Sequence, residues 1–371
     1  MLQRLSAPRR ILMTLDAVGG VWRYAMNVAA GLRDVGIETV FAGLGPASSI
    51  EQRREAEQLG DLVWIEAPLD WTASAESELR DVPELIAALA SEKKADLLHL
   101  NLPSQAWRMH ASCPVVVVSH SCVVTWFHGV RGEAVPSAWA WHEKLNRAGF
   151  ENADAVVAPS RSHADMLLAC YGAIHGLSVV PNAIATCPFA ASKQDYVFAV
   201  GRWWDEGKNG RVLDCAAREM KLPVRMVGPT TGPNGQSVEI SHAEKLGELP
   251  NQAVRRLMGR AAIFVSPSVY EPFGLAALEA AQAEAALVLS DIPTYREFWD
   301  GAALFADPGE PEGFADAVNR LARDAALRSA LASRASARMR RFSPQTQARA
   351  LLDVYTSAAA RASRQRAEVM V

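Results

Sequence analysis

Short aliphatic runs alternate with stretches of helical spacing along almost the whole chain, and that alternation leaves few folds open. Arg10–Leu15 reads as a strand, followed by a glycine turn and helical spacing over 21–35. Further strands are expected at Glu38–Leu44, Asp96–Leu100, Val115–Ser119, Ala155–Ala158 and Leu177–Val180, with a helix at Ser162–Tyr171. The pattern then restarts at Tyr196–Gly201 and runs through strands Val224–Val227, Ile263–Ser266 and Leu287–Ser290. Helices over 210–220, 251–260 and 274–284 lie between them, and more follow Glu312. Strands separated by helices imply parallel sheets covered on both faces. One sheet with so many strands would be unusual, so two doubly wound α/β domains are the economical reading.

Length agrees, since 371 residues exceed what one ordinary core encloses. The proline-punctuated stretch Pro181–Pro188 lies between the two βα series and marks the expected boundary. A hydrophobic content of 50% with 21% charged residues excludes a disordered or fibrous chain. A net charge of -3 gives no electrostatic reason to expect nucleic acid as a partner. The tail from Arg323 onward is rich in arginine, which fits a solvated face of terminal helices or contact with an anionic surface.

The five cysteines (113, 122, 170, 187 and 215) form no C-x-x-C pair and are odd in number, which suits a reducing compartment. The apolar run in MLQRLSAPRRILMTL is too short for a signal peptide. No segment approaches the roughly 20 apolar residues of a membrane span. A soluble cytoplasmic protein is therefore the expectation.

The stretch VYEPFGLAALEAA, residues 269–281, sets two carboxylates eight positions apart around a proline-glycine loop. A helix opening at Leu275 on such a loop presents unpaired backbone N–H groups and a positive dipole end, a natural seat for phosphate. Glu271 is expected to sit on the loop, free to face a ligand. Glu279, one turn inside the helix among Ala276, Ala277, Ala280 and Ala281, could accept hydrogen bonds from a pair of hydroxyls, as on a ribose. The plainer alternative stays open: Glu271 caps the helix and Glu279 pairs with an arginine.

Three further loops follow strands. Gly201–Asn209 carries Arg202 and Lys208, which alone read as a solvated loop with paired charges and, near the helix start at Gly274, as a cationic clamp on a diphosphate. Asp16–Val21 contains the pair Gly19-Gly20 without the G-x-G-x-x-G spacing of a dinucleotide site. VVVVSHS ends a buried strand on His120, placed to bond a sugar hydroxyl or to serve as an internal structural histidine. Asp291–Glu297 follows another strand and either lines the same crevice or is a turn with Arg296 and Glu297 in surface ion pairs. An aromatic and basic segment, 123–147, with Trp126, His128, Arg131, Trp139 and Trp141, reads as a packed lid that could also cover an acceptor or a membrane interface. The eight histidines make no metal-ligand cluster.

Together these residues resemble the family 4 retaining glycosyltransferases of the GT-B fold. The resemblance spans nearly the whole chain: VGGVWRYAMNVAAGL, VVVVSHS, ADAVVAPS, VVPNAI, FAVGRWWDEGKN, RMVGP, AAIFVSPSVYEPFGLAALEA, SDIPTYREFWDGAALFADP and FSPQTQARALLDVY. It implies two Rossmann-like doubly wound domains facing across a cleft. Residues 1–185 would form the acceptor side, with a C-terminal helix at 345–371 packing back on it, and residues 186–344 the nucleotide-sugar side.

The activity implied is transfer of a sugar, with retention, from a UDP- or GDP-sugar to a hydroxyl acceptor (saccharide, lipid-linked or small) within glycan or polysaccharide assembly. Arg202 and Lys208 would hold the diphosphate, and Phe273, Gly274 and Leu275 would line it. Glu279 would bind ribose and Glu271 the donor sugar, with His120 nearby and Gly19 and Gly20 closing on the donor. No metal or other cofactor is implied, and membrane contact would be peripheral. The family's G-x-P-V-like turn is here Glu284-Ala285-Ala286-Leu287, and its P-N-G is Pro181-Asn182-Ala183. A non-catalytic sugar-nucleotide-binding subunit and an epimerase of the same fold remain the alternatives.

Overall fold

The computed structural model describes residues 7–186, 192–232 and 235–369. Cys187 and Pro188 of the expected boundary, the first six residues and the last two lie outside them. The chain divides into two compact units, Met1–Ala185 with Phe342–Val371, and Thr186–Arg341.

In the first unit the strands are β1 (Arg10–Leu15), β2 (Glu38–Gly43), β3 (Gly60–Trp64), β4 (Leu97–Leu100), β5 (Val115–Val118), β6 (Ala155–Ala158) and β7 (Leu177–Val179). They pair in parallel in the order β3-β2-β1-β4-β5-β6-β7. Its helices are α1 (Gly20–Arg33), α2 (Ile50–Glu57), α3 (Val82–Glu92), α4 (Val123–Trp126), α5 (Ala140–Asn152) and α6 (Arg161–Tyr171). The central strands β1, β4, β5 and β6 are buried on both faces, which is why they read as unbroken aliphatic runs. One apolar cluster joins β4 and β5 to α3, α5 and α6; another, on the opposite face, joins β1 and β5 to α1.

The second unit holds α7 (Gly210–Ala217), α8 (Asn251–Arg260), α9 (Leu275–Gln282), α10 (Pro293–Trp299), α11 (Pro311–Arg323) and α12 (Ala325–Met339). Its strands are β8 (Gln194–Val200), β9 (Val224–Val227), β10 (Glu244–Gly247), β11 (Ala261–Ser266), β12 (Ala286–Ser290) and β13 (Ala303–Ala306). Their order is β10-β9-β8-β11-β12-β13, again parallel throughout. The last helix, α13 (Pro344–Val369), lies with the first unit. Its apolar face, Ala348, Leu351, Val354 and Tyr355, joins the α1 cluster. The approach is close enough that a Cβ on Gly31 of α1 would lie 2.4 Å from the Pro344 carbonyl oxygen.

Several elements have no counterpart in the sequence expectations: β3, β10, β13, α2, α3, α5 and α10. The edge strands β3 and β10 are short and carry exposed polar residues, so they lack the aliphatic signal of their neighbours. Helices expected at 210–220 and 274–284 are shorter, ending at Ala217 and Gln282.

Candidate active site

In each sheet the strand order reverses beside the first strand, between β1 and β4 and between β8 and β11. Loops at the carboxyl ends of strands flanking such a reversal are where doubly wound folds bind ligands. Of the loops singled out in the sequence, those after β1, β8 and β11 lie at these strand ends, while His120 follows β5 and Asp291–Glu297 follows β12, each one strand farther out.

In the second unit, the loop after β8 and the loop after β11 are tied together. The Val269 N–H donates to the Gly207 carbonyl at 3.0 Å. Asn209, left-handed at φ 56°, donates through Nδ2 to the carbonyls of Pro267 (3.0 Å) and Pro308 (2.7 Å). That scaffold brings Lys208 and Glu271, 63 residues apart in sequence, into an ion pair with Nζ 2.6 Å from Oε2. Both side chains are largely enclosed, 23% and 16% exposed. Glu271 is therefore not the free carboxylate expected from its loop position. A charge held this far from water needs a counter-charge, and Lys208 supplies it.

Arg202 lies on the same loop but turns to Asp205 at 3.6 Å, with its guanidinium 5.5 Å from the Trp204 ring centre. Asp205 in turn accepts the Gly207 N–H at 2.9 Å.

Helix α9 begins after Gly274, whose φ of +92° favours glycine. A Cβ there would also come within 2.8 Å of the Tyr295 ring. The Tyr295 hydroxyl bonds Ser266 Oγ at 2.6 Å, and burial pushes its pKa up, so it stays protonated. Phe273 is buried edge-to-face against Phe298, 4.9 Å between centres. Because glycine brings no capping side chain, the first-turn N–H groups of α9 are not capped from that position. Leu275 and Glu279 are partly buried, and Glu279 lies one turn into the helix beside the small Ala276 and Ala280. Glu284, in the turn after α9, is forced to φ 57°, a left-handed position that a glycine would occupy without strain.

In the first unit, Gly19 and Gly20 are exposed at the start of α1. Gly19 is extended (φ -145°), a backbone that any residue adopts. His120 lies just beyond β5 and is partly buried. Its Nε2 is 2.9 Å from Asn101 Oδ1, and its ring meets the Tyr24 ring edge-on at 4.3 Å. Beneath it, buried His99 joins Tyr24 (Nε2 to the hydroxyl, 3.2 Å) and Tyr355 of α13 (Nδ1 to the hydroxyl, 2.7 Å). Burial lowers both imidazoles to about 3, so both are neutral at ordinary pH.

Sequence reasoning missed Asn101, Tyr24, His99 and Tyr355. The one available signal was a histidine inside the otherwise apolar run LLHL.

The aromatic segment forms a cluster inside the first unit. Phe127 meets Trp126 and Trp139 edge-on at 5.3 and 5.7 Å, and Trp141 stacks on His142 at 3.6 Å. Trp139 remains 45% exposed. Arg296 pairs with Asp291 at 2.6 Å and Asp300 at 3.1 Å, in keeping with a surface role. Among the described residues no cluster of three or more His, Cys, Asp or Glu is placed to hold a metal ion, and no helix is long and apolar enough to cross a membrane.

Residues 18–186 match the family described as Glycosyltransferase Family 4, and residues 236–338 match Glycosyl transferases group 1. The first unit thus matches the family 4 glycosyltransferases and most of the second the glycosyl transferases group 1. The chain is 29% identical over 220 residues to the alpha-maltose-1-phosphate synthase of Mycolicibacterium smegmatis, covering 48% of this chain and 57% of that protein. The chain thus spans little more than half the length of that curated relative. Sucrose-phosphate synthase from Thermosynechococcus elongatus superposes with a TM-score of 0.76 at 16% identity, over 94% of this chain and 98% of that one. Anabaena HepE in complex with UDP-glucose gives 0.72 at 17% identity, over 94% and 99%. At such identities these two show the fold, which is GT-B.

Proposed function

We propose that this glycosyltransferase moves a hexose, with retention, from a nucleotide-diphosphate donor to a hydroxyl acceptor in glycan or polysaccharide assembly. The observation that carries the reading is the meeting of Lys208, Glu271 and the glycine-opened end of α9 at the strand reversal of the second unit. There an ammonium and uncapped backbone N–H groups offer positive charge to a diphosphate, and a carboxylate beside them offers acceptors to sugar hydroxyls.

Lys208 then exchanges part of its bond to Glu271 for a phosphate oxygen, and Glu271 turns to the donor sugar. Arg202 adds a second cation by leaving Asp205. Phe273, Gly274 and Leu275 line the diphosphate, and Glu279 takes the ribose hydroxyls. To Gly19, Gly20 and His120 of the first unit the reading assigns contacts with the donor. Support for a UDP-sugar comes from the HepE complex with UDP-glucose, and GDP remains the competing base.

In the reaction the bond from the anomeric carbon to the diphosphate oxygen breaks. A bond from that carbon to the acceptor oxygen forms on the same face, and the acceptor proton passes to the departing diphosphate. No protein nucleophile is required. The residues contribute positioning and stabilisation of the leaving group's charge. With that charge met by Lys208, Arg202 and main-chain N–H groups, turnover is expected to persist in chelator.

Calorimetric titration with UDP and GDP, followed by turnover of UDP- and GDP-sugars over a panel of hydroxyl acceptors, tests the reading. Tight nucleotide binding without any glycoside formed would instead favour a binding subunit. Conversion of the donor sugar without an acceptor would favour an epimerase.

A further inference from the structure

The surroundings of His120 fix more than its position. Asn101, immediately after β4, is buried and clamped to Thr14 of β1 by two bonds. Its backbone N–H donates to Thr14 Oγ1 at 2.8 Å, and its Nδ2 donates to the Thr14 carbonyl at 2.5 Å. A carbonyl only accepts, so the nitrogen end of the amide must face Thr14. The oxygen end therefore faces His120. The Thr14 hydroxyl donates onward to Gln105 Oε1 at 2.7 Å, which gives the whole chain of bonds one direction.

An amide oxygen also only accepts, so the contact at 2.9 Å requires the hydrogen to sit on His120 Nε2. The ring is neutral, lowered to about 3 by burial and by His99 and His163 nearby, so Nδ1 carries a lone pair. Among the described residues nothing bonds Nδ1. The Tyr24 ring, its centre 4.3 Å from that of the imidazole and inclined at 70°, packs against it and limits its rotation.

We propose that Asn101 is a positioning residue for His120: it holds the imidazole as the Nε2–H tautomer and so leaves Nδ1 as a hydrogen-bond acceptor for a substrate hydroxyl. This rests on the reading above, in which His120 meets the donor sugar. It also narrows that reading. An imidazole fixed in this way cannot donate through Nδ1 to a phosphate or to a ring oxygen. It selects a sugar that carries a hydroxyl at the facing position and discriminates against the corresponding deoxy or O-methyl donor.

The test is nitrogen NMR on the full chain with labelled histidine, the His120 signal being assigned by its loss in His120→Phe. At pH 7 the wild type is expected to show Nε2 protonated and Nδ1 bare. Nδ1–H, a mixture of tautomers or an imidazolium would overturn the positioning role. This measurement needs neither activity nor a variant at position 101. In Asn101→Leu the expected result is a mixed tautomer signal with turnover down about fivefold, on the scale of one lost hydrogen bond. An unchanged tautomer in folded Asn101→Leu would remove Asn101 from the argument. A correct tautomer with full turnover in His120→Phe would overturn the hydroxyl contact, while UDP binding to the second unit would still stand or fall on its own.

Discussion

The two units share one topology and differ in how their strand ends handle polarity. In the first, the reversal between β1 and β4 is lined mainly by neutral groups in two hydrogen-bonded sets, Thr14 with Asn101 and His120, and Tyr24 with His99, beside the buried carboxylate of Asp16 just beyond β1. In the second, the same place is held by formal charges, Lys208 with Glu271 and Arg202 with Asp205. Seven of the eight histidines lie in the first unit, leaving only His242 in the second. One fold thus yields an acid-sensitive neutral network on one sheet and a charge-compensated loop pair on the other. The difference comes from side chains at strand ends, since the strand order is alike.

Acid gives the largest expected effect. In the first unit burial lowers His99 and His120 to about 3 and His142 and His163 to about 4. Folded values below the unfolded 6.5 mean that the unfolded chain takes up protons the folded one refuses. The stability is complete above pH 6.5 and is lost as pH falls toward 4, by up to about 1.4 kcal/mol per pH unit for each fully enclosed histidine such as His99 or His163. Asp70 and Asp154, both raised by burial, act in the opposite sense, the folded chain taking up their protons more readily than the unfolded one as pH falls. In the second unit Arg296 holds Asp291 below the usual carboxylate value, a contribution lost only below about pH 4. Hydrogen exchange read by mass spectrometry from pH 7 to 4.5 should show β4, β5 and β6 losing protection before β8, β11 and β12. The reverse order would break the contrast between the units.

The next effect concerns the charged unit. Lys208→Ala removes the cation and leaves Glu271 enclosed without its partner. Donor binding and turnover should fall by about 10- to 100-fold, from a lost charge-assisted contact of roughly 1.5–3 kcal/mol. Circular dichroism should still report a folded chain. Unchanged donor kinetics in a folded variant would mean that the loop pair is structural and that both units carry only neutral contacts to substrate.

The contrast also explains what could be read in advance. Strands such as VVVV at β5 and AVVA at β6 were legible because both faces are buried, so composition alone marks them. β10, EKLG, was not, because an edge strand with exposed charges resembles a loop. The placement of Lys208, Glu271 and His120 at strand ends followed from the βα pattern. The bond between Lys208 and Glu271 did not, since it depends on two loops brought together by Asn209 and Val269. Tyr355 was further out of reach: its partner His99 is 256 residues earlier and hidden in an apolar run.

That long-range contact makes a smaller test. Tyr355→Phe keeps the buried ring and removes only the hydroxyl bonded to His99 Nδ1 at 2.7 Å. The expected cost is about 1 kcal/mol, with some addition for the imidazole nitrogen left unpaired. It should appear as lost hydrogen-exchange protection in α13, α1 and β4 together, without change in the second unit. Loss confined to α13 would show that the tail is held by its apolar face alone.

The smallest expected effect has the opposite sign. Glu284 occupies φ 57° in the turn between α9 and β12, where the side chain strains the backbone. The turn is fixed by bonds from the Glu284 N–H to the Ala281 carbonyl at 3.1 Å and from the Ala285 N–H to the Ala280 carbonyl at 3.0 Å, so the strain cannot relax by opening it. Lys193, whose Nζ donates to the Ala283 carbonyl, loses a nearby carboxylate if Glu284 is removed, but its hydrogen bonds remain. Relief of the left-handed strain is worth about 1–2 kcal/mol, and the added chain freedom of glycine takes back about 0.5–1 kcal/mol. Glu284→Gly is therefore expected to stabilise the second unit by about 0.5–1 kcal/mol. A rise in the Tm of its transition, with the acid-sensitive first unit unchanged, is the expected result. A fall would show that the Glu284 carboxylate near Lys193 outweighs the backbone strain, and would add a further stabilising charge pair to the unit that already relies on them.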